Sequence, residues 1–191
     1  MINLDFRDVG SFEEIQSRFI SIAMEISSKY DIELQHRNGE RLQITSLELY
    51  LYKPSDWEDP TTHGKRYGFR DQLTAGRWYL HRRKNHSVGA PNRMGIDITA
   101  GAACHEIHAG LLVRGVNEID GPAQAVNSIL FGMQSFTKPR NWGYSPEEKI
   151  FLQEKVDGKS IYSGDVALVK ALNPRQCDCY IGERIGLRKS K

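Results

Sequence analysis

Two charged side chains interrupt stretches that are otherwise apolar, and both are of types that handle water and protons. In Leu42 to Tyr52 one alternating row reads Leu42, Ile44, Ser46, Glu48, Tyr50, Tyr52, and the other reads Gln43, Thr45, Leu47, Leu49, Leu51. Glu48 falls in an apolar row, where a carboxylate loses hydration and needs a partner. The competing reading is an edge strand that leaves Glu48 in water. Arg114 makes the parallel case, since it breaks the apolar run from Ala109 to Val116. A buried guanidinium demands an acceptor, and pairing with Glu48, directly or through a water, satisfies both groups. A water held between the two is a candidate nucleophile, with Glu48 as its general base.

Other chemistry-bearing groups point to less. His105 and His108 form His-Glu-x-His, which lacks the His-Glu-x-x-His spacing that puts two imidazoles on one helical face for zinc. Cys104, Cys177 and Cys179 are an odd number without framework spacing, so a reducing compartment fits, and the Cys177-Asp178-Cys179 pair reads as two unbridged thiols near a strand. No metal site is expected. No Walker loop, dinucleotide fingerprint or nucleophile elbow occurs. Basic residues cluster at His81-Arg82-Arg83-Lys84-Asn85-His86, at Lys65-Arg66 with Arg70, and at the C-terminus. Net charge is only +2, so affinity for a polyanion has to come from such local patches.

The elements that must position these residues follow from periodicity and turn chemistry. The chain has 191 residues, 39% apolar and 26% charged, which suits one globular domain with a proper core. No apolar stretch approaches the roughly 18 residues that cross a bilayer, and Met1 to Gly10 has no leader pattern, so a cytoplasmic protein is expected. Ser11-Phe12-Glu13-Glu14 is a capping-box signature, and Ile15, Phe19, Ile22 and Ile26 recur at helical spacing, predicting a helix from about Phe12 to Ser28. Asn38-Gly39, between Ile32–His36 and Leu42–Tyr52, signals a hairpin. Arg77 to Arg83, Met94 to Thr99 and Gly110 to Val116 read as further strands. Asp120-Gly121-Pro122 opens a helix with Ala123, Val126, Ile129 and Leu130 on its apolar face, and another helix follows Ser145-Pro146. Two closing strands are expected within 160–172 and 179–187. Strands outnumber helices without a βαβ rhythm. The fold class is therefore α+β: a curved, mostly antiparallel, open-barrel-like sheet with an N-terminal helix and two or three others packed outside.

The order of several pieces resembles a known family. Leu47-Glu48-Leu49-Tyr50-Leu51, His63 in the next loop, Gly76-Arg77-Trp78-Tyr79, Gly95-Ile96-Asp97-Ile98, and Gly110 to Gly121 with Arg114 within it are similar to the alkyladenine (3-methyladenine) DNA glycosylases. The match spans about Leu42 to Gly121, and the C-terminal third departs from it. The resemblance implies hydrolysis of an N-glycosidic bond to a damaged purine, alkylated or deaminated, flipped out of double-stranded DNA by a monomer without metal or cofactor. It implies Glu48 as the base that activates water, Arg114 as the group that helps hold that water, and Tyr50 and His63 as lining of the base pocket. The basic run of Arg82, Arg83 and Lys84 then lies on the DNA backbone.

Three positions depart from the family pattern. His81 stands where the second stacking tyrosine is expected, Asp97 where the pocket has asparagine, and Lys84 where a tyrosine wedges into the duplex. An anionic Asp97 favours a base that carries donors or positive charge, and Lys84 can contact phosphate but cannot fill a vacated stack. Two alternatives follow: a non-catalytic nucleic-acid-binding module in which Glu48 and Arg114 are a structural pair, and a hydrolase of a small nucleoside or glycoside.

Overall fold

The computed structural model describes residues 2–62, 71–80, 95–130, 166–180 and 182. Helix α1, Phe12–Lys29, begins where the sequence says it should. Ser11 accepts from the Glu14 amide, while the Glu14 carboxylate accepts from the amides of Ser11 and Gly10, so three of the donors at the helix start are satisfied. Ile15, Ile22 and Ile26 are buried and Phe19 packs partly against the core, which is the stripe that helical spacing dictates.

The strands are β1 (Tyr30–Leu34), β2 (Glu40–Lys53), β3 (Trp57–Glu58), β4 (Trp78–Leu80), β5 (Ile96–Thr99), β6 (His108–Val116), β7 (Ile119–Asp120) and β8 (Val166–Lys170). A second helix, α2, spans Pro122–Leu130. The sheet is antiparallel throughout, in the order β4-β5-β6-β2-β1-β8, with β3 beside β2 and β7 beside β6. It forms the curled, open half-barrel of an α+β protein. Trp78, buried on the core face of β4, donates its indole N–H to the Val166 carbonyl of β8 at 3.1 Å, so the two outermost strands of the path meet across the core. Helix α1 packs on β1 and β2, and α2 packs on β6.

The β1–β2 hairpin turns as its sequence requires: Asn38 and Gly39 both take positive φ, 56° and 77°. The first strand ends earlier than expected, at Leu34, because residues 35–37 form a 3-10 turn. Gly121, with φ 97°, sets up α2, whose Ala125, Val126 and Ile129 are buried. Of the two closing strands, the first is β8; residues 171–180 carry no strand, and most of the second lies outside the described residues, as does the expected helix after Ser145.

One expectation needs correcting. Leu42 and Ile44 do not share a face with Glu48. The β2–β6 ladder runs Ile44 to Val116, Ser46 to Gly115, and Leu47 to Val113, so Thr45 is extra on β2 and Arg114 is extra on β6. Each extra residue breaks the two-residue alternation once. Leu42 and Ile44 therefore join Leu47, Leu49 and Leu51 against the core, and Ser46, Glu48, Tyr50 and Tyr52 share the opposite face. The bulge needs a glycine: a Cβ on Gly115 would sit 2.7 Å from Thr45 Oγ1.

Candidate functional site

The face opposite the core is where the sheet collects its polar groups. Directly paired residues in a sheet project to the same side, so the register can be read across strands. Glu48 pairs with Leu112, Leu112 with Asp97, and Asp97 with Tyr79, a continuous row over β2, β6, β5 and β4. The next row holds Tyr50, Gly110 and Thr99, followed by Arg77, whose carbonyl accepts from the Thr99 amide at 2.8 Å. A third row pairs Tyr52 with His108, their rings meeting edge-on at 6.2 Å.

Arg114 and Glu48 are brought together. Arg114 Nη1 donates to Glu48 Oε2 at 2.7 Å. The side chains differ in exposure, 8% for Glu48 and 21% for Arg114, so the carboxylate is the inner member and the guanidinium the outer. The bulge carries Arg114 within reach of a residue diagonal to it on β2. Of the two pairings expected, direct or through water, the direct one is found. A charge-assisted bond of this length fixes the carboxylate plane and holds a positive charge beside it.

Asp97 is fully buried and is held by a residue the sequence gave no reason to single out. Gln72, also fully buried, donates Nε2 to Asp97 Oδ2 at 2.9 Å. Both lie over Gly110, where a Cβ would come within 2.4 Å of Asp97 Oδ2 and 2.9 Å of Gln72 Nε2. Gly110 therefore leaves room for a buried carboxylate–amide contact in the middle of the face. Tyr79 is buried beside it, and Tyr50 lies in the row next to Glu48. Gln72 carried no signal in the sequence, and Tyr79, Arg77 and His108, though present in the motifs above, were given no place in the site, because what joins them is a shared side of a sheet whose register no local pattern reveals.

Of the remaining expected site residues, His63, His81, Arg82, Arg83 and Lys84 lie outside the described residues. His105 sits in an exposed 3-10 turn, apart in element from His108 on β6. All three cysteines are unbridged, Cys104 and Cys179 exposed and Cys177 half-buried. Among the described residues no group of three or more His, Cys, Asp or Glu side chains is placed to hold a metal ion. Among them, too, no helix is long and apolar enough to cross a membrane.

No family model matches the chain, and no solved structure matches it. It is similar to an uncharacterized protein of Acanthamoeba polyphaga mimivirus, at 29% identity over 118 residues that cover 53% of this chain and 52% of that protein. The chain thus spans about half the length of the relative it matches.

Proposed function

We propose that the protein is a hydrolase of the DNA glycosylase type, which accepts a damaged purine flipped out of double-stranded DNA and cleaves its N-glycosidic bond with water. The observation that carries the reading is the Glu48–Arg114 pair, 2.7 Å apart on the polar face of the sheet and not in the core. A buried pair serving stability alone gains little over apolar packing of the same volume. Placed on a face with Asp97, Gln72, Tyr50 and Tyr79, it is a preorganised carboxylate beside groups able to hold a base.

In this reading the Glu48 carboxylate takes a proton from water as the water oxygen bonds to the anomeric carbon. The carbon–nitrogen bond breaks, and its electron pair leaves with the purine. The same carboxylate stabilises the positive charge that develops on the sugar, and Arg114 holds Glu48 in the orientation both tasks need. Asp97 is fully buried in its bond with Gln72, so the residue of this face that meets the base is the half-buried Tyr50.

The test is release of free base from duplex oligonucleotides bearing an alkylated or a deaminated purine. Release should vanish in Glu48→Gln, which keeps the shape and removes the base. One observation favours a second reading: the direct ion pair already satisfies a guanidinium and a carboxylate without a water between Nη1 and Oε2. A nucleic-acid-binding module that has lost turnover fits that, and duplex binding without release from any substrate would establish it.

A further inference from the structure

We infer that Arg77 is a phosphate-binding residue at the rim of the polar face, taking a phosphate of the substrate whose glycosidic bond faces Glu48. The inference deepens the reading above and rests on it for the identity of the substrate. It starts from an unmatched donor. Arg77 Nε is buried and has no hydrogen-bond partner. Buried N–H groups without an acceptor are rare, and each calls for an explanation.

The position is fixed and the side chain is unclaimed. Gly76 N–H donates to the Thr99 carbonyl at 2.8 Å, the Thr99 amide donates to the Arg77 carbonyl at 2.8 Å, and the Arg77 amide donates to Thr99 Oγ1 at 2.9 Å. Alternation with Trp78, which is in the core, puts Arg77 on the side of Tyr79, Asp97 and Glu48. Other arginines of the described residues are engaged: Arg7, Arg37, Arg41, Arg114 and Arg175 each pair with a carboxylate, and Arg18 donates to the Asp5 carbonyl. Among the described residues no carboxylate pairs with Arg77.

The chemistry selects the ligand. A guanidinium that no carboxylate neutralises keeps its full positive charge for an oxyanion. Arg77 stands at the β4 end of its row, three strands from Glu48, or roughly 14 Å at the usual ladder spacing. It therefore stands clear of the water and the anomeric carbon, on the part of the face left for the rest of the substrate.

The test measures binding of a fluorescently labelled duplex oligonucleotide carrying one hypoxanthine, across a salt series, in Glu48→Gln protein so that turnover does not consume the probe. Arg77→Gln should weaken binding several-fold and lower the slope of log affinity against log salt by roughly 0.9, the contribution of one phosphate contact. Arg77→Lys should keep the slope while losing part of the affinity. Inorganic phosphate and adenosine monophosphate serve as competitors. Competition that disappears in Arg77→Gln assigns a free nucleotide's phosphate; a lowered slope without such competition assigns a phosphodiester of the strand. An unchanged slope with unchanged competition overturns the inference.

The urea midpoint of Arg77→Gln should stay where it is or rise, since the change removes an unsatisfied donor. A fall in midpoint would make the residue structural and overturn the inference as well. Failure of base release with the Arg77 effects intact sinks the hydrolase reading alone, whereas a protein that binds neither duplex nor phosphate sinks both.

Discussion

Arg114 is the extra residue of a bulge in β6, and its guanidinium reaches back to Glu48, whose directly paired neighbour is Leu112. The pairing is therefore a product of irregularity in the ladder, and it joins residues 66 positions apart in the chain.

The first prediction concerns that pair. Arg114→Leu removes the cation from a carboxylate only 8% exposed and should cost about 3 kcal/mol, the low end for breaking a buried pair because the guanidinium is partly solvated. Glu48→Gln keeps an acceptor for Nη1 and should cost only about 1 kcal/mol. Urea unfolding of both variants and of Glu48→Leu/Arg114→Leu checks this, and the double variant should recover part of the Arg114→Leu loss. Strict additivity would show that the two groups do not interact in solution.

Gly110→Ala should destabilise by about 2 kcal/mol, because the new methyl meets Asp97 Oδ2 at 2.4 Å. Introduced into Asp97→Ala, the same change should cost much less. A cost that persists undiminished would place the constraint in the backbone and not in the Asp97–Gln72 contact.

Ser11→Ala should lower stability by about 1 kcal/mol through loss of the helix cap. Glu14 carries a separate signature: the Gly10 and Ser11 amides hold its carboxyl below the usual glutamate range. A depressed folded-state value means stability that is present above the unfolded value and lost as pH falls through the folded one. NMR titration should find Glu14 still depressed in Ser11→Ala, whose backbone N–H remains, and closer to the usual value in Ser11→Pro.

Arg175 ties the segment after β8 to the end of α1. It donates to the carbonyls of Ser27 and Tyr30 and to Asp31 Oδ1, the last at 2.8 Å. Arg175→Ala should cost about 2 kcal/mol and speed hydrogen exchange at the Ala171 and Arg175 amides, which bond to Lys29 and Ser28 carbonyls. Protection that survives the substitution would show that the backbone bonds alone hold this segment.

Local signals proved legible where the physics is local. The Ser11–Glu14 box and the Asn38-Gly39 turn depend on neighbours in sequence, and both stand where the residues put them. The apolar interruption at Arg114 and the odd carboxylate at Glu48 were visible as breaches of pattern, and the structure joins them. The face on which Glu48 lies was not legible, because Thr45 reverses the alternation and nothing in its type announces a bulge. Nor was the Gln72–Asp97 bond, which links residues 25 apart over a glycine from a third segment. Such contacts exist only once the register of four strands is set.

The bulges also bear on what the strand pair would tolerate losing. Without Thr45 and Arg114, β2 and β6 would pair as an unbroken ladder, Ile44 to Val116 and Leu47 to Val113, with each flanking side chain on its present side. The sheet needs neither residue to close. Shortening each strand by one is thus a deletion that hydrogen bonding and core packing would accept, and its cost would fall on the cation beside Glu48. The arginine is a residue that strand pairing does not require, and it stands where it pairs with the carboxylate.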